Sequence, residues 1–344
     1  MAQQSAAVLS KGPRFQIAKG LLTVLVSTVV LFALSAVVAP SSVMPGTILS
    51  MLPFAGVLAI VGLGQMLTIQ QAGIDLSVPG AVSLAIVIVS HEPNGDNSKL
   101  LPAIALAIAY AIGAGLINGY LIGFLNLNPI IATLGTNALL YGAVLGISAG
   151  IPRTTTSLLS AICGHITFGI PNAIYFTVGA LLFVVLILRR TVAGRRFEAI
   201  GSSAPMARIS GLRVRTHQGL AYVWAQLFYC LAGILLAGIT NQPTAYMGDN
   251  YMLPSVAVVV LGGTSLLGGR GLPTATVLAA LFLTQLDQFV LALGVNFAIR
   301  TLVQAAALAI GVAIYTVDWS RVRSVVRELL SAQSRGTNAS VPSA

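Results

Sequence analysis

The sequence predicts an all-α protein, a polytopic transmembrane helical bundle of about ten spans with both termini cytoplasmic. Three observations carry that expectation. Of 344 residues, 56% are hydrophobic and only 8% are charged, too few charges to cover the surface of a soluble domain. Apolar runs about as long as a bilayer is thick recur along the whole chain. The basic residues, which set a net charge of +10, collect in alternate gaps between those runs.

Taken in order, residues 1–20 form a polar, basic cytoplasmic segment (Lys11, Arg14, Lys19). The apolar run 21–38 is long enough to span, so it reads as a retained first helix rather than a short secretory core. Further apolar segments follow at 48–70, 76–90, 101–124, 129–149, 172–188, 218–239, 253–268, 272–293 and 298–316. With the N-terminus inside, the internal pieces hold fifteen of the eighteen basic residues, while Lys99, Arg153 and Arg300 fall outside. Reversing the chain would invert that asymmetry. The transmembrane domain therefore runs over 21–316 and a cytoplasmic tail over 317–344. In the tail, Val322, Val325, Val326, Leu329 and Leu330 recur at helical spacing among Arg321, Arg323 and Arg327. That pattern suits an amphipathic helix on the membrane surface with Trp319 at the interface, and a solvated tail fits equally well. Of the external loops, 91–99 is a polar turn, and 153–173 is long enough to dip back onto the membrane. Because topology accounts for the arginines, membrane lipids are expected partners and nucleic acid is not.

The longest polar passage between the ends is GRRFEAIGSSAPMARISGLRVR at 194–215, within a basic loop that covers 189–217. Arg189, Arg190, Arg195, Arg196, Arg208, Arg213 and Arg215 lie there. Its middle reads as a short helix: Ser203 caps the free N–H groups, Pro205 is tolerated in the first turn, and Gly211 takes the left-handed stop. Two turns are too few to stand alone, which suits a docking surface held by something else.

A second polar cluster, GQMLTIQQAGIDLSVPG at 64–80, crowds Gln65, Gln70, Gln71, Asp75 and Ser77 where two apolar segments meet. Gly73, Pro79 and Gly80 can break helix there. Irregular backbone at membrane depth survives only against protein or a water-filled cavity, and an acid there is costly. Asp75 is either a functional group or the cap of a helix starting near Leu76. A third stretch, VVLGGTSLLGGRG at 259–271, lacks the lysine of a phosphate-cradling loop. Its glycines read instead as close helix packing at Gly262 and Gly263 and a tight turn through Gly269 and Gly271. Scattered polar groups within spans (Asn118, Thr133, Thr136, Asn137, Gln285, Asp287, Gln288, Gln304) either join helices or line a path for a hydroxyl-rich solute.

Enzyme chemistry finds no footing. His91, His165 and His217 have no carboxylate or cysteine at ligand spacing, and Cys163 and Cys230 are far apart. No catalytic residue and no metal site are expected.

Three stretches in order, GIDLSV at 73–78, AIGSSAPMARISGLRV at 199–214 and VVLGGTSLLGGRG at 259–271, resemble the membrane permeases of ATP-binding-cassette importers for monosaccharides, the ribose/xylose/arabinose/galactose type. The family pattern in the second stretch is met by Ala199, Ile200, Gly201, Ala207, Arg208, Ser210 and Gly211. The likeness runs from about residue 50 to 316. It implies a bacterial inner-membrane subunit that pairs with a second permease copy, identical or not. It also implies two cytoplasmic ATPase subunits, which hold the ATP and Mg, and a periplasmic sugar-binding protein. This chain itself would bind no cofactor. Residues 203–211 would enter a cleft of the ATPase, with Glu198, Ser203, Arg208, Ser210 and Gly211 in the coupling surface. Gln65, Gln70, Asp75, Ser77, Asn118, Thr136, Asn137, Gln285 and Asp287 are the candidate lining of the path. The competing expectation is an ion-coupled secondary transporter using Asp75 and Asp287, and a third is a passive channel.

Overall fold

The computed structural model describes residues 19–296, 298–299, 301–303, 305–306 and 309. Most of the basic N-terminal segment, most of the tenth expected span, Arg300, Gln304, and the tail pattern with Trp319 lie outside the described residues. The helices are α1 (Lys19–Val38), α2 (Pro45–Gln70), α3 (Val78–His91), α4 (Leu100–Gly123), α5 (Pro129–Ser148), α6 (Ser157–Gly164), α7 (Asn172–Arg190), α8 (Val192–Ser202), α9 (Ala204–Ile209), α10 (Val214–Thr240), α11 (Met252–Leu261) and α12 (Pro273–Ala292). Among the described residues the strands are confined to a two-residue hairpin, β1 (Ile166–Thr167) with β2 (Ile170–Pro171). Among the described residues, seven helices (α1, α2, α4, α5, α7, α10 and α12) are long and apolar enough to cross a bilayer, while α3 and the Met247–Leu261 segment are apolar but shorter.

The bundle is built around α2 and α10. Every residue of α2 from 55 to 70 is buried, because α7, α10, α11 and α12 surround it. On its other sides α10 packs against α3, α4 and α6. The α4–α10 contact follows directly from sequence. Ala103, Ala107, Ala111, Gly115, Gly119 and Gly123 recur every four residues, so one face of α4 carries almost no side chain. A Cβ at Gly119 would lie 2.7 Å from the Gly219 carbonyl oxygen of α10, so the two backbones touch. Small residues allow such an approach where lipid supplies no hydrophobic drive between helices. On the outside, Leu101, Leu116, Ile131, Leu139, Leu182 and Leu186 are exposed, which suits an acyl-chain environment.

The structure departs from the sequence-based expectation in three places. The expected span at 253–268 is a 3₁₀ turn (Met247–Tyr251) followed by α11, which stops at Leu261. Gly262 caps it, and Gly263 turns left-handed at φ 82°. The short helix expected over 203–211 is present as α9, but a second, unexpected helix, α8, precedes it, with Ser203 extended between them. The long loop 153–173 contains α6 and the hairpin, with Phe168 and Gly169 left-handed at its tip.

Candidate functional site

The link between α2 and α3 is where most of the candidate path residues meet. Residues 71–77 leave the helix through Ala72, which takes φ 59°; Gly73 is not the left-handed residue. Gly73 is required for another reason, since a Cβ there would lie 2.1 Å from the Tyr222 hydroxyl of α10. Asp75 does not cap a helix at Leu76. The helix begins at Val78 with Ser77 as its N-cap residue, and Asp75 accepts from the Ser77 N–H at 2.9 Å and from the Ser77 hydroxyl at 2.5 Å. The Leu76 N–H goes to Thr133 Oγ1 of α5 at 2.9 Å.

From Ser77 the network spreads to four helices. Its oxygen accepts from Gln226 Nε2 of α10 at 2.7 Å and from Asn118 Nδ2 of α4 at 3.1 Å. Asn118 Oδ1 accepts from Thr136 of α5 at 2.6 Å. Gln65 of α2, in the amide orientation that satisfies its partners, donates to the Asp75 carbonyl at 3.1 Å and to Tyr229 Oη at 2.8 Å, and accepts from Asp75 N at 3.2 Å. Asn137 stands beside it and accepts the Gly80 N–H at 2.8 Å, holding the first turn of α3. Gly80 is tight here because a Cβ would meet Leu140 at 2.8 Å.

Gln65, Asp75, Ser77, Asn118 and Thr136 are thus one cluster, each 2% exposed or less. Its hydrogen bonds are spent on the protein, apart from Gln226 Oε1 and the neighbouring Tyr222 Oη, which have no partner. A sealed cluster of this kind fixes helix positions. Three expected residues fall elsewhere: Gln70 at the end of α2, Gln285 and Asp287. Gln285 donates to Ser35 Oγ at 3.1 Å, tying α12 to α1. Asp287 lines a cavity of about 400 Å³ at the end of the bundle where α2 begins, with Asp249, Asn250 and Gln288 nearby. Sequence reasoning missed Gln226, Tyr222 and Tyr229 of α10. Gln226, the one amide in the apolar stretch 219–239, was the available signal.

At the opposite end of α2 the three sequence stretches converge on Gln70. Its carbonyl accepts the Gly269 N–H at 3.0 Å, while a Cβ at Gly201 would lie 2.1 Å from that oxygen. A Cβ at Gly271 would lie 2.2 Å from Gln70 Nε2, so both glycines are required by close approach. The turn that carries Gly271 is left-handed at Gly268 and Gly269. Gln71 Nε2 donates to the Phe197 carbonyl of α8 at 2.9 Å. Arg189 reaches both the Gly271 carbonyl at 3.3 Å and Glu198 at 3.7 Å, so Glu198 has a partner within its own chain.

Beyond this joint α9 stands out from the bundle. Ser203 Oγ accepts the Met206 N–H at 3.5 Å, and Ser210 Oγ donates to the Met206 carbonyl at 3.0 Å. Gly211 takes φ 77°, and its N–H and that of Leu212 close the end on Arg208 and Ala207. Ile200, Ala207 and Val214 form a small core beneath. Met206 and Ile209 are 64% and 83% exposed, with Arg208 between them. An apolar pair beside a guanidinium is thus open at the surface.

Among the described residues, seven bilayer-length helices around a buried polar cluster, with a capped helical pair at one end, mark a multi-pass membrane protein. Residues 47–319 match the family model described as "Branched-chain amino acid transport system / permease component", and the chain belongs to that family. It is similar to the ribose import permease protein of Bacillus subtilis, 33% identical over 82% of this chain and 88% of that protein. A probable ABC transporter permease protein of Sinorhizobium fredii is 32% identical over 77% of this chain and 79% of its own. The galactose/methyl galactoside import permease protein of Escherichia coli is 28% identical over 80% and 89%. No solved structure matches. The chain is a transport subunit and not an enzyme.

Proposed function

We propose that this chain is the permease subunit of an ATP-driven importer for a monosaccharide or a sugar-like solute in a bacterial inner membrane. It crosses the membrane about ten times with both ends in the cytoplasm, which follows the distribution of its basic residues. ATP and Mg belong to a separate ATPase pair. A second permease subunit completes the path, and a periplasmic binding protein delivers the solute. The observation that carries the reading is the exposed α8–α9 pair hinged on Gln70, the last residue of α2, which is buried throughout from residue 55 to 70. A push on α9 reaches α2 through backbone contacts with little side-chain slack, and α2 carries Gln65 into the cluster around Asp75. ATP-driven closure would then switch the bundle between two packed arrangements.

The sugar assignment rests on the relatives whose names specify ribose and galactose, against a family description that specifies branched-chain amino acids. Thermal-shift screening of the delivering protein separates these, with stabilisation by a pentose or hexose expected and by leucine or valine contrary. The Arg208→Glu variant tests docking. Loss of ATPase copurification and of uptake is expected, and retention of both overturns the coupling role. The ion-coupled alternative loses support from Asp75, whose carboxylate is enclosed by Ser77 and Gln226.

A further inference from the structure

α7 and α10 both rest on α2 and leave an apolar cleft between them. Its larger lobe, about 490 Å³, begins at Tyr175 and passes Phe183 and Trp224. A smaller lobe of about 140 Å³ continues past the same two rings to Gly194 and Phe197 of α8 and to His217. Phe183 stands 5.3 Å from the Trp224 ring centre, so aromatic faces form the middle of the wall. From Tyr175 to Leu188 the cleft follows roughly 20 Å of helix at 1.5 Å per residue. Around the α8 end, where Gly194, Phe197 and His217 line the cleft, the adjoining sequence carries exposed Arg190, Arg195, Arg196, Arg213 and Arg215, and Glu198 is the one acid between residues 189 and 217.

We propose that this cleft is a phospholipid site, in which one acyl chain lies between α7 and α10 and an anionic headgroup meets the arginines. The surroundings supply acyl chains, because Leu182 and Leu186 on one lip and Leu220 on the other face the membrane. The charge at one end selects the headgroup, as basic pockets between spans do for anionic lipids. The site touches the root of α8, so its occupant bears on the same element that holds Gln71 through Phe197. This inference requires the bundle to lie in a bilayer and does not depend on the import reading.

Gly179 lies on the cleft wall with nothing within 4 Å of an added Cβ, so Gly179→Leu fills the cleft without backbone strain. The chain has two tryptophans, and Trp319→Phe leaves Trp224 as the sole reporter. The full chain is reconstituted in phosphatidylcholine vesicles in which one tenth of the lipid is brominated phosphatidylglycerol or brominated phosphatidylcholine. Quenching of Trp224 should be at least threefold stronger with the anionic lipid. Gly179→Leu should abolish the difference, and Arg195→Gln with Arg196→Gln should reduce it while leaving the cleft intact. Equal quenching by the two lipids in the parent protein means ordinary surrounding lipid and overturns the proposal. No quenching by either means that protein covers the cleft, which also overturns it.

Discussion

Gly201→Ala probes the joint at the end of α2. The added Cβ would sit 2.1 Å from the Gln70 carbonyl oxygen and 3.2 Å from Gly269 N. That oxygen belongs to the backbone and is already bound by Gly269 at 3.0 Å, so no side-chain rotation relieves the clash. α8 must withdraw by about 1 Å, which carries the Phe197 carbonyl beyond reach of Gln71 Nε2, now 2.9 Å away. Overpacking costs about 1–3 kcal/mol. The lost hydrogen bond adds about 1 kcal/mol. The docking face of Met206, Arg208 and Ile209 is left in place, so the ATPase should still copurify. The assay is ATP-driven uptake in proteoliposomes containing all partners, with thermal unfolding alongside. Uptake should fall about tenfold or more, with a melting temperature lowered by about 5 °C or more. The control is Gly113→Ala, where an added Cβ meets nothing within 4 Å. In a helix interior that change should stabilise by about 1 kcal/mol. Undiminished uptake by Gly201→Ala would refute the rigid joint.

Three further outcomes follow from the buried polar groups and their neighbours. Ser77→Ala removes the oxygen shared by Gln226 and Asn118 and should destabilise by about 2–4 kcal/mol in denaturant unfolding, at about 1–3 kcal/mol per orphaned group. Gly73→Ala should be severe alone and partly rescued by Tyr222→Phe, which deletes the hydroxyl 2.1 Å from the new Cβ; equal melting of single and double variants would count against this packing. Gln285→Leu should cost stability by about 1–2 kcal/mol while leaving the affinity for solute in uptake unchanged, because its side chain serves Ser35.

The all-α, membrane-spanning character was legible because hydropathy and charge act over whole segments. Local chemistry was legible where one residue type is demanded, as at Gly211, whose left-handed φ stops α9. Gly73 and Gly201 show the limit. Both were singled out by sequence, but the need arises from Tyr222 and Gln70 approaching from other helices. α8 was overlooked because its arginines and Glu198 read as loop, although Thr191 caps it at Gly194 N. The candidate path residues were chosen as polar groups in apolar runs, and that criterion mixes functional with structural groups. It grouped Gln285 with Asp75 as candidate path lining, whereas the fold sends one to α1 and the other into a cluster with Gln226. Sequence spacing carries no record of which spans become neighbours.

The most direct test reconstitutes the purified chain in liposomes, alone and with its ATPase and binding-protein partners, and measures labelled sugar inside. Alone, under any proton or sodium gradient, it should accumulate nothing, and with the partners it should concentrate sugar only when ATP is supplied. Concentration of sugar by the chain alone, driven by an ion gradient, would contradict the account.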